Sequence, residues 1–307
     1  MKAIGLLFYL DLPTREKLEQ KMPANKPLEF GGHSLVWTGD WSPENARKSA
    51  SSAHKAGYDY IEMLMIEPWK IDTAMTNDLL AEFKLKATAS LGLSSENDVT
   101  STNPSIVKKG DELLRQVVDK LHSIGSAELC GVIYCSLQKY PGPASEENRS
   151  NSVKAMQRLA DYAADKGINI NFEVVNRYET NIMNTGKEGL KFLEAVNRPN
   201  AYLHLDTYHM NIEEDGMAAA VLEAGDKLGY VHIGESHRGY LGTGNVDFDT
   251  FFGALKKINY SGPITFESFS SVVVDPALSN ALCIWRNLWS DSDDLASHAL
   301  KYMKAKY

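Results

Sequence analysis

Four residues able to bind a cation or move a proton each close a strand-like run of this sequence. Glu173 ends the run from Ile168, Asp206 ends AYLHLD from Ala201, His232 ends YVH from Tyr230, and Glu267 ends PITFE from Pro263. A carboxylate at the rim of an apolar strand costs free energy unless it is paired or bound to metal, so these positions ask for partners. Three carboxylates and one imidazole make an oxygen-rich, borderline-hard donor set. Such a set suits one divalent ion, Mn2+, Mg2+ or Co2+, with room left for water or substrate oxygens, rather than a closed thiolate zinc site. Three negative charges against a divalent ion leave about one in excess. Arg238, six residues beyond His232, could offset it while binding a substrate oxygen. Taken singly, a strand-end Glu is more often a surface or capping residue, and a lone His in VHIG more often a satisfied core residue. The reading rests on the four recurring at corresponding places. Glu62, in YDYIEML, also lies near a strand end, but no comparable partner flanks it and it is read as structural.

The elements that must position these residues alternate along the chain. Strands are expected at residues 30–37, 58–64, 86–93, 128–136, 168–175, 201–206, 230–233 and 263–266. Helices are expected between them at 42–56, 72–84, 103–125, 145–166, 187–196, 217–224 and 248–258, with a helical remainder interrupted by an acidic break at 291–294. The local signals are Ser42-Pro43, Asn103-Pro104 and Ser145 at helix starts, and Gly57, Gly125 and Gly167 at helix ends. Strict alternation implies parallel strands, and eight strand–helix units imply a closed (β/α)8 TIM barrel in the α/β class. Every strand of such a barrel opens its carboxyl end on one face, so Glu173, Asp206, His232 and Glu267 can converge there. No low-complexity linker divides the chain. One catalytic domain is expected over 29–307, preceded by an N-terminal extension, residues 1–28, of unassigned role.

Composition narrows the function classes. With 307 residues, 43% hydrophobic and 23% charged, the chain can bury a large core and carries no sign of disorder. A net charge of -8 argues against nucleic acid as a partner. No run approaches the ~20 apolar residues that span a bilayer, so no membrane partner is expected. The stretch AIGLLFYL after Met1-Lys2 resembles a signal peptide only superficially, since Asp11 interrupts it and no small-x-small cleavage site follows promptly; Met22 is an alternative start. Cys130, Cys135 and Cys283 are too few and scattered for a disulfide framework, which fits a cytoplasmic protein. The glycines of GYLGTG, residues 239–244, lack a helix behind the last glycine and a βαβ context, so no nucleotide cofactor is expected. The sequons at Asn148 and Asn259 mean little without secretion.

Four longer motifs carry a family resemblance: EVVNRYET from Glu173, HLDTYHMNIEE from His204, VHIGESHRGYLGTG from Val231, and TFES around Glu267. Together with GHSLVWTG, SLGLS, CGVIY and FESFSS they resemble the ketose 3-epimerases of the D-tagatose, D-allulose (psicose) and L-ribulose type, within the xylose-isomerase-like barrels. The likeness runs from about Phe30 to the C-terminus and is nearest to the D-allulose and L-ribulose branch; residues 1–26 have no counterpart. The resemblance implies that Glu173, Asp206, His232 and Glu267 ligate one divalent ion per subunit, with Mn2+ expected and Co2+ or Mg2+ as alternatives. It implies that Glu173 and Glu267 double as the acid/base pair. Glu179, His209 and Arg238 match contacts to the O1–O3 end of the sugar, and a homodimer or homotetramer is implied.

The implied reaction explains why these residue types are needed. Inverting C3 of a ketose removes a carbon-bound proton beside the C2 carbonyl and returns one to the other face, through a cis-enediolate that a divalent ion would stabilise. One carboxylate must take the proton and a second, opposed, must return it. His33, Trp37, Glu67, Tyr134 and Leu137, from the earlier strands, are the expected lining at C4–C6. The competing readings are an aldose–ketose isomerase of the same barrel group, a barrel endonuclease with a zinc cluster, and a non-catalytic sugar-binding barrel.

Overall fold

The computed structural model describes residues 28–307. Its strands are β1 (Phe30–His33), β2 (Tyr60–Leu64), β3 (Lys86–Ser90), β4 (Glu128–Gly131), β5 (Asn169–Val174), β6 (Ala201–Asp206), β7 (Leu228–Ile233) and β8 (Ile264–Phe266). They pair in chain order, all parallel, and β1 pairs with β8 to close the barrel. Around them lie α1 (Pro43–Ala56), α2 (Thr73–Phe83), α3 (Pro104–Ser123), α4 (Glu146–Ala164), α5 (Gly186–Val196), α6 (Thr207–Glu213), α7 (Ala219–Ala224), α8 (Phe248–Lys257), α9 (Pro276–Ala281) and α10 (Ser292–Lys306). The closed (β/α)8 barrel expected from the alternation is the fold that forms. The N-terminal extension falls outside the described residues except for Leu28, which packs half-buried on the core. Among the described residues no helix is long and apolar enough to cross a membrane.

Local chemistry sets the element boundaries. Ser145 and Thr185 form capping boxes with Asn148 and Glu188 at the starts of α4 and α5. Several expected strands stop early, β3 at Ser90 rather than at 93. β1 ends at His33, whose Nδ1 accepts from the Leu35 amide at 3.1 Å and turns the chain into a 3-10 helix, Ser34–Val36. β4 ends at Gly131, which has φ of 110° and where a side chain would lie 2.4 Å from the Leu91 carbonyl oxygen. The acidic stretch 291–294 is not a break inside a helix but the beginning of one. Asp291 caps α10 by accepting from the Asp293 and Asp294 amides, and acids in a first helical turn are favourable. Helix α6, which the sequence reading did not anticipate, begins directly behind Asp206, whose Oδ1 accepts from the Tyr208 amide at 2.8 Å.

Each strand presents two different faces. Ile61, Ile170, Phe172, Leu203, Val231 and their like are buried in the large cluster they share with the helices. Their alternates, Tyr60, Cys130 and Tyr230, form a separate cluster, and other buried alternates are polar: Glu62, Thr88, Asn171, Glu173, His204, Asp206, His232 and Thr265. The apolar alternation that marks β5 is therefore its helix-facing side. Fully burying a side chain such as Phe172, set edge-on to Tyr134 and Phe192, contributes about 1.5–3 kcal/mol. That packing holds rigid the strand on which Glu173 sits.

Candidate active site

Glu173 is the penultimate residue of β5, Asp206 the last of β6, His232 the penultimate of β7, and Glu267 the residue after β8. The expected convergence at the carboxyl ends occurs. One ligand atom from each of the four lies within 4.8 Å of the others, and all four residues are buried. His232 Nδ1 lies 3.5 Å from Glu173 Oε1 and 3.6 Å from Glu267 Oε1, and it has no hydrogen-bond partner. An orphaned imidazole nitrogen among three carboxylates fits a divalent cation, which would satisfy all four donors at once.

The electrostatics divide the carboxylates. Burial raises the pKa of Glu173 and pushes that of Asp206 up to about 8. Burial would raise Glu267 too, but the Arg238 guanidinium and the His232 ring hold it well below the usual carboxylate range. For His232 burial alone would lower the pKa; the neighbouring Glu62 and Glu267 carboxylates, with smaller contributions from Cys130 and Glu173, together outweigh it, and the value lies well above normal. Arg238 pairs with Glu267 and stands 3.4 Å from Asp206 Oδ2. Its guanidinium is sandwiched between the rings of Tyr208, 3.9 Å to the centroid, and Phe269, 4.8 Å. Arg238 adopts φ of 63°, in a loop held by Glu235, whose buried carboxylate accepts from the Ser236, Gly242 and Val246 amides.

Glu179 and His209 stand beside the cluster. The Asn176 amide donates to His209 Nδ1 at 3.2 Å, so the neutral ring carries its proton on Nε2. That nitrogen lies 3.6 Å from Asp206, 3.8 Å from Glu173 and 4.0 Å from Glu179. Burial, reinforced by Arg238, lowers the His209 pKa well below normal and keeps the ring neutral. Burial also raises the pKa of Glu179, whose carboxylate accepts from Asn176 Nδ2 at 2.8 Å.

Glu173, Glu179, His209, His232, Arg238 and Glu267 line a cavity of about 370 Å³ at the carboxyl ends of the strands, and Asp206 does not. A larger cavity, about 440 Å³, opens at the opposite end of the barrel and touches none of them. The residues expected to line the outer part divide. His33, Glu67 and Leu137 do line the active-site cavity. Trp37 and Tyr134 do not. Trp37 is buried edge-on against Tyr58 and donates to Asp293, while Tyr134 packs on Phe172 and Phe192 and donates to the Glu173 carbonyl at 2.8 Å. Both aromatic residues belong to the wall behind the site.

Several contributors escaped the sequence reading: Glu62, Asn176, Tyr208, Glu235 and Phe269. Glu62 had a signal, since Tyr60-x-Glu62 in β2 repeats the Tyr230-x-His232 pattern of β7. The others contribute through contacts across loops that no local pattern announces.

A closed barrel of eight parallel strands with an acidic–imidazole cluster at its carboxyl end defines a class of protein, and residues 50–306 match the family described as Xylose isomerase-like TIM barrel. Within that class the chain is 72% identical to an L-ribulose 3-epimerase of Methylomonas sp. strain DH-1 over 282 residues, 92% of this chain and 99% of that one. It is 52% identical to a ketose 3-epimerase of Arthrobacter globiformis, over 91% of this chain and 96% of the other. A crystal structure of D-allulose 3-epimerase from Methylomonas sp. in complex with D-allulose superposes with a TM-score of 0.90 at 72% identity, covering 91% of this chain and 97% of that one. The chain belongs to the ketose 3-epimerase family, a group of isomerases.

Proposed function

We propose that this protein interconverts the C3 epimers of free ketoses, of the D-fructose/D-allulose, D-tagatose/D-sorbose and L-ribulose/L-xylulose type. It does so with one divalent ion per subunit, Mn2+ first and Co2+ or Mg2+ as alternatives, by deprotonation and reprotonation through a cis-enediolate. One observation carries the reading. Glu173 and Glu267 come from strands three apart around the barrel, yet both bring a carboxylate oxygen to within 3.6 Å of His232 Nδ1. Two carboxylates approaching one point from different directions are what two-sided proton transfer needs; on one face they would only exchange the proton.

Glu173, Asp206, His232 and Glu267 would hold the cation, which when bound supplies Lewis-acid polarisation of the C2 carbonyl. Glu267, kept ionised beside Arg238, is placed to take a proton from C3. Glu173, approaching from the other side and taking its own proton from solvent, would return one. In the reverse direction the roles exchange. Arg238 and the Nε2–H of His209 offer donors to the O1–O3 end of the sugar, and Glu179 an acceptor. Leu35, Leu93 and Leu137 face the outer part of the cavity, where they offer shape rather than hydrogen bonds to C4–C6. The remaining parts of the reading are assembly as a homodimer or homotetramer and residence in the cytoplasm.

The test is incubation with D-allulose, D-fructose, D-tagatose and L-ribulose in D2O with Mn2+. The C3 epimer with deuterium at C3 is expected. An aldose product with hydrogen moved between C1 and C2 would instead make it an aldose–ketose isomerase, and no exchange at C3 of any ketopentose or ketohexose would reject the reading.

A further inference from the structure

We propose that Glu62 is the positioning residue of this centre: it holds His232 with its proton on Nε2, so that the Nδ1 lone pair is presented to the cation. The proposal rests on the metal-dependent reading above, which supplies the cation.

Glu62 on β2 faces His232 on β7 across the barrel lumen, and both are fully buried. Its Oε1 and Oε2 lie 3.0 and 2.9 Å from His232 Nε2. A carboxylate can only accept, so Nε2 is the donor, and the nitrogen left over is Nδ1, the orphan facing Glu173 and Glu267. In metal sites the ligating imidazole commonly donates its other N–H to a carboxylate, which fixes tautomer and ring angle.

The interior of the barrel is arranged around that carboxylate. Tyr230 donates its one hydroxyl proton to Glu62 Oε2 at 2.7 Å. Its oxygen can then only accept from Thr88 Oγ1 at 2.7 Å and Thr265 Oγ1 at 2.8 Å. Thr265, having given its proton to Tyr230, receives from Tyr60 at 2.9 Å. Every hydroxyl in the chain Tyr60, Thr265, Tyr230 is thus oriented toward Glu62, so it remains an acceptor for His232. Glu62 is not itself within the set of donor atoms that could surround one ion. Its action on the cation goes through the ring.

Three measurements test this. Nitrogen-15 histidine NMR of the wild-type protein loaded with Mg2+, which is diamagnetic, is expected to show His232 protonated at Nε2 and not at Nδ1; a proton on Nδ1 overturns the proposal. Mn2+ titrations followed by electron paramagnetic resonance are expected to show about 10- to 100-fold weaker binding in Glu62→Gln, with partial recovery in Glu62→Asp. The Co2+ form of Glu62→Gln is expected to have a shifted visible spectrum, while the cation-free variant keeps the wild-type circular dichroism. Wild-type Mn2+ affinity and an unshifted Co2+ spectrum in Glu62→Gln overturn the proposal alone and leave the metal reading intact. A wild-type protein that binds neither Mg2+ nor Mn2+ overturns both. Should Glu62→Gln fail to fold, the wild-type NMR result decides.

Discussion

The Arg238 guanidinium lies 3.9 Å from the centroid of the Tyr208 ring, and from there it reaches both Glu267 and Asp206. Planarity and delocalisation are what allow the stacking, and lysine has neither. Arg238→Lys is expected to lower kcat/KM by about 10²-fold, the scale at which small misplacements of a reacting group are felt. Steady-state kinetics on D-allulose or L-ribulose checks it; unchanged kinetics would mean that charge alone suffices.

The two-carboxylate mechanism predicts that Glu173→Gln and Glu267→Gln each lose roughly 10²- to 10⁴-fold in turnover. Because both carboxylates are also candidate ligands of the cation, bound Mn2+ must be measured alongside. Full epimerase turnover in Glu267→Gln with metal bound would refute opposed proton transfer.

Cation affinity should depend on pH. Burial lifts Asp206 to about 8 and raises Glu173, and His232 stays protonated well above its ordinary range. These protons must leave before the cation binds, so affinity tightens as pH rises toward about 8. For the cation-free fold the Asp206 contribution has the opposite sign. It is complete below the ordinary value of 3.8 and is lost as pH rises through about 8. The Mn2+-induced increase in Tm should therefore grow between about pH 6 and pH 8, with proton release visible by calorimetry in buffers of different ionisation enthalpy. A pH-independent affinity would contradict this.

Gly189 on α5 is a packing glycine. A methyl group there would lie 2.4 Å from Leu203 Cδ1 and 2.9 Å from Val174 Cγ2. Helix propensity favours alanine by about 0.8–1.0 kcal/mol, but overpacking costs about 1–3 kcal/mol. Gly189→Ala should therefore be destabilised by about 1 kcal/mol in urea unfolding. A gain in stability would show that α5 can shift off the sheet.

Glu235 touches no ligand atom of the cluster yet anchors the loop that carries Arg238. Glu235→Gln places an amide donor among backbone donors, at about 1–3 kcal/mol for an unsatisfied buried group. The expected result is a raised KM with unchanged Mn2+ affinity. A loss of Mn2+ binding would place the role of Glu235 at the metal instead.

Much of the site was legible because period-2 strands and helix caps are local. Glu173, Asp206, His232 and Glu267 stood out as ionisable residues at the ends of four successive strands, and their convergence follows from parallel pairing alone. Trp37 and Tyr134 were misplaced for a reason the sequence does not contain. Both lie near strand ends, and an aromatic residue there reads the same whether it points into the cavity or into the wall behind it.

By itself the sequence determined the number of strands, their parallel order and the ionisable residues at the carboxyl ends of β5 to β8, since these depend on neighbours a few positions apart. Only the closed barrel decided which alternate of each strand faces the lumen, because both faces of a barrel strand are covered and burial does not tell them apart. Closure set His33 beside Glu62 in register and brought Glu62 from β2 to His232 on β7, 170 positions away. It also gave an apparently unpartnered carboxylate its partner, the His232 ring. Such long-range pairings depend on register and curvature summed around the whole barrel, which no single stretch of chain encodes.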